Sequence, residues 1–165
     1  MTELGSAPVP EPGPDDHVRG PDGAPLLIEY ADFECPFCAA LHVRLAGMQA
    51  RIVFRHFPVR SSHPRAWAAA CAAEAAALQG RFWEMHDALM SDQGRLEDPH
   101  LWARAQQLGL DLDRFERDRR SDAVLERVTR DFRGGIRAGV VTTPAMFAFE
   151  GGRARRVDAE QLSGF

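Results

Sequence analysis

Leu26-Leu27-Ile28-Glu29-Tyr30-Ala31-Asp32-Phe33-Glu34-Cys35-Pro36-Phe37-Cys38 is the stretch on which the reading of this chain turns. An apolar, β-prone run enters a short turn and reaches two cysteines separated by two residues, with proline directly after the first. That pattern predicts a strand delivering a dithiol to the start of a helix. With Cys35 as N-cap and Pro36 as the first helical residue, the missing proline N–H costs nothing and its fixed φ suits the first turn. The unpaired N–H groups of that turn then point toward the Cys35 sulfur and, with the helix dipole, favour thiolate over thiol. Cys35 becomes the nucleophile. Cys38, three residues on, is placed to attack a mixed disulfide and release the partner.

Outward from this stretch, the first strand is predicted over about Leu26 to Tyr30, and the helix opened by Cys35 runs to Leu45 or Ala46, ending near Gly47. Ile52, Val53, Phe54, His56 and Phe57 form a second β-prone run closed by Pro58. Strand, helix and strand make a βαβ unit with parallel strands and a right-handed crossover. From Pro64 to about Gly139 helix formers dominate. Pro64 suits a first helical position for the alanine-rich segment to Leu78, and Phe82 to Met90 shows an apolar face through Phe82, Met85 and Leu89. Asp98-Pro99 reads as cap and start of a third helix, and Asp111 as the cap of a short fourth. A fifth begins near Asp122, with Leu125, Val128, Phe132 and Ile136 along one stripe and a weak end at Gly134 and Gly135, which close packing against a neighbour would explain. Ala145 to Phe149 and Arg153 to Val157, joined by Glu150-Gly151-Gly152, read as a hairpin. Asp158 and Gln161 have the spacing of a capping box before a short last helix.

At 165 residues and 45% hydrophobic composition, the chain can bury one sizeable core. Its net charge is −4 and its arginines are dispersed, so nucleic acid is not expected as a partner. All 20 basic residues are arginine. No run is long enough to span a bilayer and residues 1–25 lack an apolar core of the signal-peptide type, so the expected location is the cytoplasm, away from any membrane. In that setting a Cys-x-x-Cys pair points to catalysis or metal binding sooner than to a structural cross-link. Pro8, Pro10, Pro12 and Pro14 make residues 1–16 an expected mobile, extended tail.

Two further readings of the cysteines stay open on the residues alone. Zinc would take Cys35 and Cys38 with His42 as a third ligand, though no fourth is evident, and a structural disulfide is the other possibility. Cys71, among alanines, reads as a small buried hydrophobe. Trp67, Phe82, Trp83, His86 and Trp102 read as core or groove walls, and His56 and His63 receive no role.

Phe33 to Cys38 after a strand, Phe54-Arg55-His56-Phe57-Pro58, His63-Pro64 opening an alanine-rich helix, Phe82-Trp83-Glu84-Met85-His86, and Gly139 through Thr143-Pro144 together resemble the DsbA-like thiol-disulfide oxidoreductases. The resemblance runs in order from about Asp16 to Gln161. It implies a thioredoxin-like α/β fold, a sheet of about four to five strands with a helical subdomain inserted at about residues 61–139, in one domain over residues 17–165. It also implies that Thr143-Pro144 is a cis-proline loop facing the dithiol, where a substrate backbone pairs as an added strand beside Pro36 and Phe37. Glu29 matches the buried acid beneath the resolving cysteine and would accept the Cys38 proton. This chain departs from the best-known members in carrying Phe37 where they have histidine, in lacking a leader and in a shortened terminal helix. Phe37 offers the Cys35 thiolate neither charge nor hydrogen bond, which predicts a less oxidising couple. Arg119, where an apolar residue is expected, predicts a loosely packed fourth helix.

The function these readings imply is disulfide exchange with protein or peptide thiols and a thiol redox partner yet to be identified, by a monomer requiring no cofactor and no metal. The alternatives are an enzyme using a low-molecular-weight thiol for transfer or isomerisation on the same fold, for which Cys38 would be dispensable, and a non-catalytic zinc- or protein-binding module.

Overall fold

A computed structural model describes residues 5–165. The chain runs β1 (His17–Arg19), β2 (Leu26–Ala31), α1 (Pro36–Leu45), β3 (Arg51–His56), α2 (Ala66–Ala77), α3 (Phe82–Ser91), α4 (Asp98–Gln107), α5 (Leu112–Asp118), α6 (Asp122–Arg137), β4 (Ala145–Glu150) and β5 (Arg153–Val157), with a closing 3-10 turn at Gln161–Gly164. The strands form one mixed sheet in the order β1-β3-β2-β4-β5, in which β2 and β3 are parallel and the other pairs antiparallel. This is the thioredoxin-like α/β arrangement, with α2 to α6 inserted between β3 and β4.

β2 is central and buried along nearly its whole length, as its near-continuous apolar sequence requires. Alternation sends Leu27, Glu29 and Ala31 to one face and Ile28 and Tyr30 to the other. On the first face Leu27 joins Leu41 and Leu45 of α1, and Ala31 joins Cys38, Phe33, Phe54 and the alanines of α2. On the second, Ile28 and Tyr30 pack with Phe57, Val140 and Phe147, against which Phe132 of α6 rests. α2 is buried through Ala69–Ala76, and its small side chains let it lie against α3, α5 and α6 at once.

Several expectations need correction. Residues 1–4 lie outside the described residues, but the remainder of the expected mobile tail is docked. Ser6 and Ala7 N–H groups donate to Arg137 O (2.8 and 3.0 Å), and the buried Arg55 guanidinium grips both Asp16 carboxylate oxygens and the carbonyls of Pro10 and Glu11. A proline-rich segment is already extended, so docking it orders few bonds, and a buried arginine demands acceptors. β1 follows directly; a three-residue strand has no periodicity of its own and exists because β3 offers an edge. α2 begins at Ala66, since His63 and Pro64 form the turn that precedes it, and α4 begins at Asp98 with Glu97 as N-cap.

In α6 the buried stripe is Val124, Val128, Asp131 and Gly135, while Ile136 faces out. Gly135 explains the rotation. A Cβ there would lie 2.7 Å from the Phe57 ring and 3.0 Å from that of Tyr30, so the helix closes onto the sheet through this glycine. Arg119 does not loosen α5. It is the C-cap residue, buried and paired to Glu116 (2.6 Å) and Asp98 (3.1 Å). The predicted capping box forms reciprocally, Asp158 N to Gln161 Oε1 at 3.0 Å and Gln161 N to Asp158 Oδ1 at 3.1 Å.

The adjacent glycines of α6 should respond with opposite sign. Gly135→Ala is expected to destabilise by about 1–3 kcal/mol through overpacking. Gly134→Ala, whose new Cβ meets nothing closer than 3.6 Å, should stabilise by about 0.5–1 kcal/mol. Urea unfolding midpoints of the two variants check both.

Candidate active site

Cys35 is the N-cap of α1, in extended conformation (φ −81°, ψ 120°), with Pro36 as the first helical residue. Its carbonyl accepts from Cys38 N (3.1 Å) and Ala39 N (3.2 Å), which closes the first turn. The Cys38 thiol and the backbone N–H groups of Cys38 and Phe37 favour the Cys35 thiolate. Hydrogen bonding from Cys38, the largest influence, together with these donors overcomes burial and draws Cys35 down to about 5. Cys38 lies on the inner stripe of α1 with Leu41 and Leu45 and is wholly buried. Its hydrogen bond to Cys35 and its burial push it well above the ordinary thiol range. One thiol is therefore poised as thiolate and the other is held protonated.

The Thr143–Pro144 peptide is cis and faces this pair, with Thr143 O 3.6 Å from Cys35 Sγ. Thr143 is buried, whereas Phe37 and Val141 stand out at 73% and 67% exposure. Glu29 is buried on β2 between Phe54 of β3 and Met146 of β4, on the face shared with Ala31 and covered by the helix bearing Cys38. Its Oε1 has no hydrogen-bond partner among the described residues, and burial pushes its carboxyl up to about 8. Among the groups acting on Cys38 is the Glu29 charge. The structure thus brings together Cys35, Cys38, Glu29, Pro36, Phe37, Thr143 and Pro144.

Sequence reading missed the residues that hold the turn. The Asp32 carboxylate accepts from Glu34 N (2.7 Å), Val59 N (2.8 Å) and His63 Nδ1 (2.9 Å), and its own N–H donates to Cys38 Sγ at 3.4 Å. Glu34 accepts from Arg65 N and Nε at 2.8 and 3.1 Å, and Gln93 donates to Cys35 O at 2.8 Å. A signal was present for Asp32. An acid between an apolar strand and Phe33 is headed for burial, and a buried carboxylate must find donors. His63, given no role from the sequence, is one of them.

His42 does not join the cysteines. It lies 5.3 Å, ring to ring, from His86, with Nε2 3.9 Å from Asp87, so the group His42, His86 and Asp87 has metal-ligand spacing. Asp87, however, is already gripped by both oxygens in the Arg19 guanidinium. A second such group is His17, His56 and Glu74, where both imidazoles lie 2.7 Å from Glu74 Oε1 and Arg127 stands 3.9 Å away. Neither group includes Cys35 or Cys38. Cys71 is buried in α2, where burial raises it to about 11. Phe82 and His86 are core residues; Trp102 is partly exposed and bonded to Glu116.

Residues 26–165 match the family model of the DSBA-like thioredoxin domain. Among solved structures, a thioredoxin-like oxidoreductase from Silicibacter pomeroyi is 26% identical, covering 92% of this chain and 90% of that one, with a TM-score of 0.77. Pseudomonas aeruginosa DsbA2, at 23% identity, shares the fold over 93% of this chain and 94% of its own, with a TM-score of 0.73. Curated relatives include a Na(+)/H(+) antiporter of Mycolicibacterium gilvum, 44% identical over 80% of this chain, and one of Herminiimonas arsenicoxydans, 44% identical over 85%. The chain spans about a quarter of the length of these relatives, 23% in each case.

Glu29 yields a stability prediction. Its folded value near 8 lies above the ordinary carboxylate value of 4.5, so the folded state holds a proton that the unfolded chain releases, and stability falls as pH rises between those values. Relative to the wild type, reduced Glu29→Gln should be about 3–5 kcal/mol better off at pH 9 than at pH 4. Urea unfolding of both proteins at pH 4, 7 and 9 measures that difference, and parallel curves would contradict it.

Proposed function

This chain belongs to the DsbA-like thioredoxin domain family, has the fold of its thiol-disulfide oxidoreductases and carries the Cys35–Cys38 pair, and on that footing we propose that it exchanges disulfides with protein or peptide thiols. The observation that carries the reading is the opposed state of the two thiols. Cys35 is drawn toward thiolate at a helix N-cap beside the Thr143–Pro144 loop, and Cys38 is buried behind it as thiol.

In the reductive direction the Cys35 thiolate attacks one sulfur of a substrate disulfide, and the other sulfur leaves as thiolate and takes a proton from solvent. Cys38 then gives its proton to the ionised fraction of Glu29 and attacks Cys35 Sγ. The second substrate thiolate leaves, and a Cys35–Cys38 disulfide remains. Two electrons pass from the dithiol to the substrate, and the oxidative direction is the reverse. A carboxyl near 8 suits Glu29 as proton carrier, because the best acid-base groups titrate close to the working pH. Exposed Phe37 offers an extended substrate an apolar contact, and the backbone of the cis Thr143–Pro144 loop is the place for it to pair.

Phe37 contributes only its backbone N–H to the thiolate. We therefore place the couple between those of thioredoxins, about −270 mV, and of strongly oxidising family members, about −120 mV. The cytoplasm is the setting proposed, with the glutathione pool or a dithiol protein as redox partner. No helix among the described residues is long and apolar enough to cross a membrane.

Equilibration against defined ratios of reduced and oxidised glutathione, followed by acid quenching and thiol alkylation, should give a single two-electron transition in that range. A protein that forms no Cys35–Cys38 disulfide at any ratio would refute the reading. Cys38→Ser should abolish turnover and accumulate a mixed disulfide at Cys35 detectable by mass. Retained turnover would favour a low-molecular-weight-thiol enzyme instead.

A further inference from the structure

We propose that Asp32 is a positioning residue for the resolving step: its carboxylate, held by His63 and the loop after β3, keeps its own backbone N–H aimed at the sulfur of Cys38. The inference rests on the disulfide-exchange reading and deepens it.

The second half-reaction needs Cys38 to become a thiolate in a wholly buried position. Such an ion is costly without a donor. The titratable groups acting on Cys38 are Cys35 and Glu29, and both work against its ionisation. The Asp32 N–H, 3.4 Å from Sγ, works for it. In the mixed disulfide the Cys35 sulfur is bonded to substrate and no longer an anion. Its repulsion is then gone, and the Asp32 N–H remains as the donor for the attacking sulfur.

That N–H belongs to a turn with no strand partner, so its direction depends on what anchors Asp32. Three donors do so, at 2.7, 2.8 and 2.9 Å, and two of them, Val59 N and His63 Nδ1, come from the segment joining β3 to α2. They also satisfy the buried carboxylate, so the side chain meets its partners and the main chain of the same residue meets the sulfur. His63 reaches Asp32 from a partly exposed position, with 22% of its side chain accessible, and can be changed without opening the core.

The test separates the two half-reactions. Reduced protein is mixed in excess with a synthetic peptide carrying one disulfide, quenched in acid at successive times, and the Cys35–peptide mixed disulfide and the internal disulfide are counted by mass. In Asp32→Asn the amide presents an NH2 group toward donors that require an acceptor. Its mixed disulfide should form within twofold of the wild-type rate but resolve about tenfold or more slowly, the size expected for one weakened hydrogen bond to a charged atom. The rising limb of its resolution rate should move to higher pH while the Cys35 thiolate, followed by ultraviolet absorbance, titrates as in the wild type. His63→Ala, which removes one of the three anchors, should slow resolution about threefold and serves as the deciding variant if Asp32→Asn does not fold. Resolution within experimental error of wild type in His63→Ala, or in a folded Asp32→Asn, overturns the assignment, as does equal slowing of both steps. A wild-type protein that forms no mixed disulfide at all refutes the exchange reading itself, and the role of Asp32 falls with it.

Discussion

The junction at which β2 becomes α1 is the constraint on which the rest of the structure depends. Cys35 must end an extended segment and cap a helix in one residue, and Pro36 makes this inexpensive by giving up an N–H that no partner needed. Of the remaining N–H groups of the first turn, those of Phe37 and Cys38 favour the Cys35 thiolate. Because Cys38 is one turn further along the same helix and faces the sheet, the junction also sets its thiol deeper than that of Cys35, at 0% against 3% exposure. The difference in acidity between the two sulfurs is a consequence of this placement more than of any dedicated charged neighbour.

Around the junction, buried carboxylates act as fasteners between layers. Asp32 ties the active-site turn to the segment after β3, Asp16 holds the N-terminal segment to Arg55, Glu74 of α2 receives His17 and His56, and Asp131 of α6 accepts the His56 N–H at 3.1 Å and Arg127 at 2.9 Å. Each accepts hydrogen bonds from several donors, which makes its contact directional. Hydrogen bonding from His17 and His56 outweighs burial and holds Glu74 well below the usual carboxylate range. Glu29 differs: burial dominates it, one oxygen lacks a partner among the described residues, and its carboxyl rises to about 8. The contrast separates a carboxyl suited to carrying a proton from those suited to carrying load.

Much of the architecture was readable because it depends on local periodicity and caps. The apolar run of β2, Pro36 at a first helical position, the Asp111 cap and the Asp158–Gln161 box each follow from short-range chemistry, and each appears where expected. The failures share another cause. Residues 5–16 look disordered in isolation because nothing in them is periodic, yet Arg55, distant in sequence, supplies the charge that fixes Asp16. The α6 stripe rotates away from Ile136 because a glycine can approach Phe57 more closely than any side chain would.

The amino-acid sequence alone determined the dithiol, the helix that carries it and the order of the strands and helices from β2 onward, since these rest on contacts within a few residues. Tertiary structure decided what each thiol touches. Asp32, Val59 and His63 come together only when β3 lies beside β2, and Gln93 reaches Cys35 only when the helical insertion folds back over the site. Long-range hydrogen bonds of this kind leave no periodic trace, because their geometry exists only once the layers have closed.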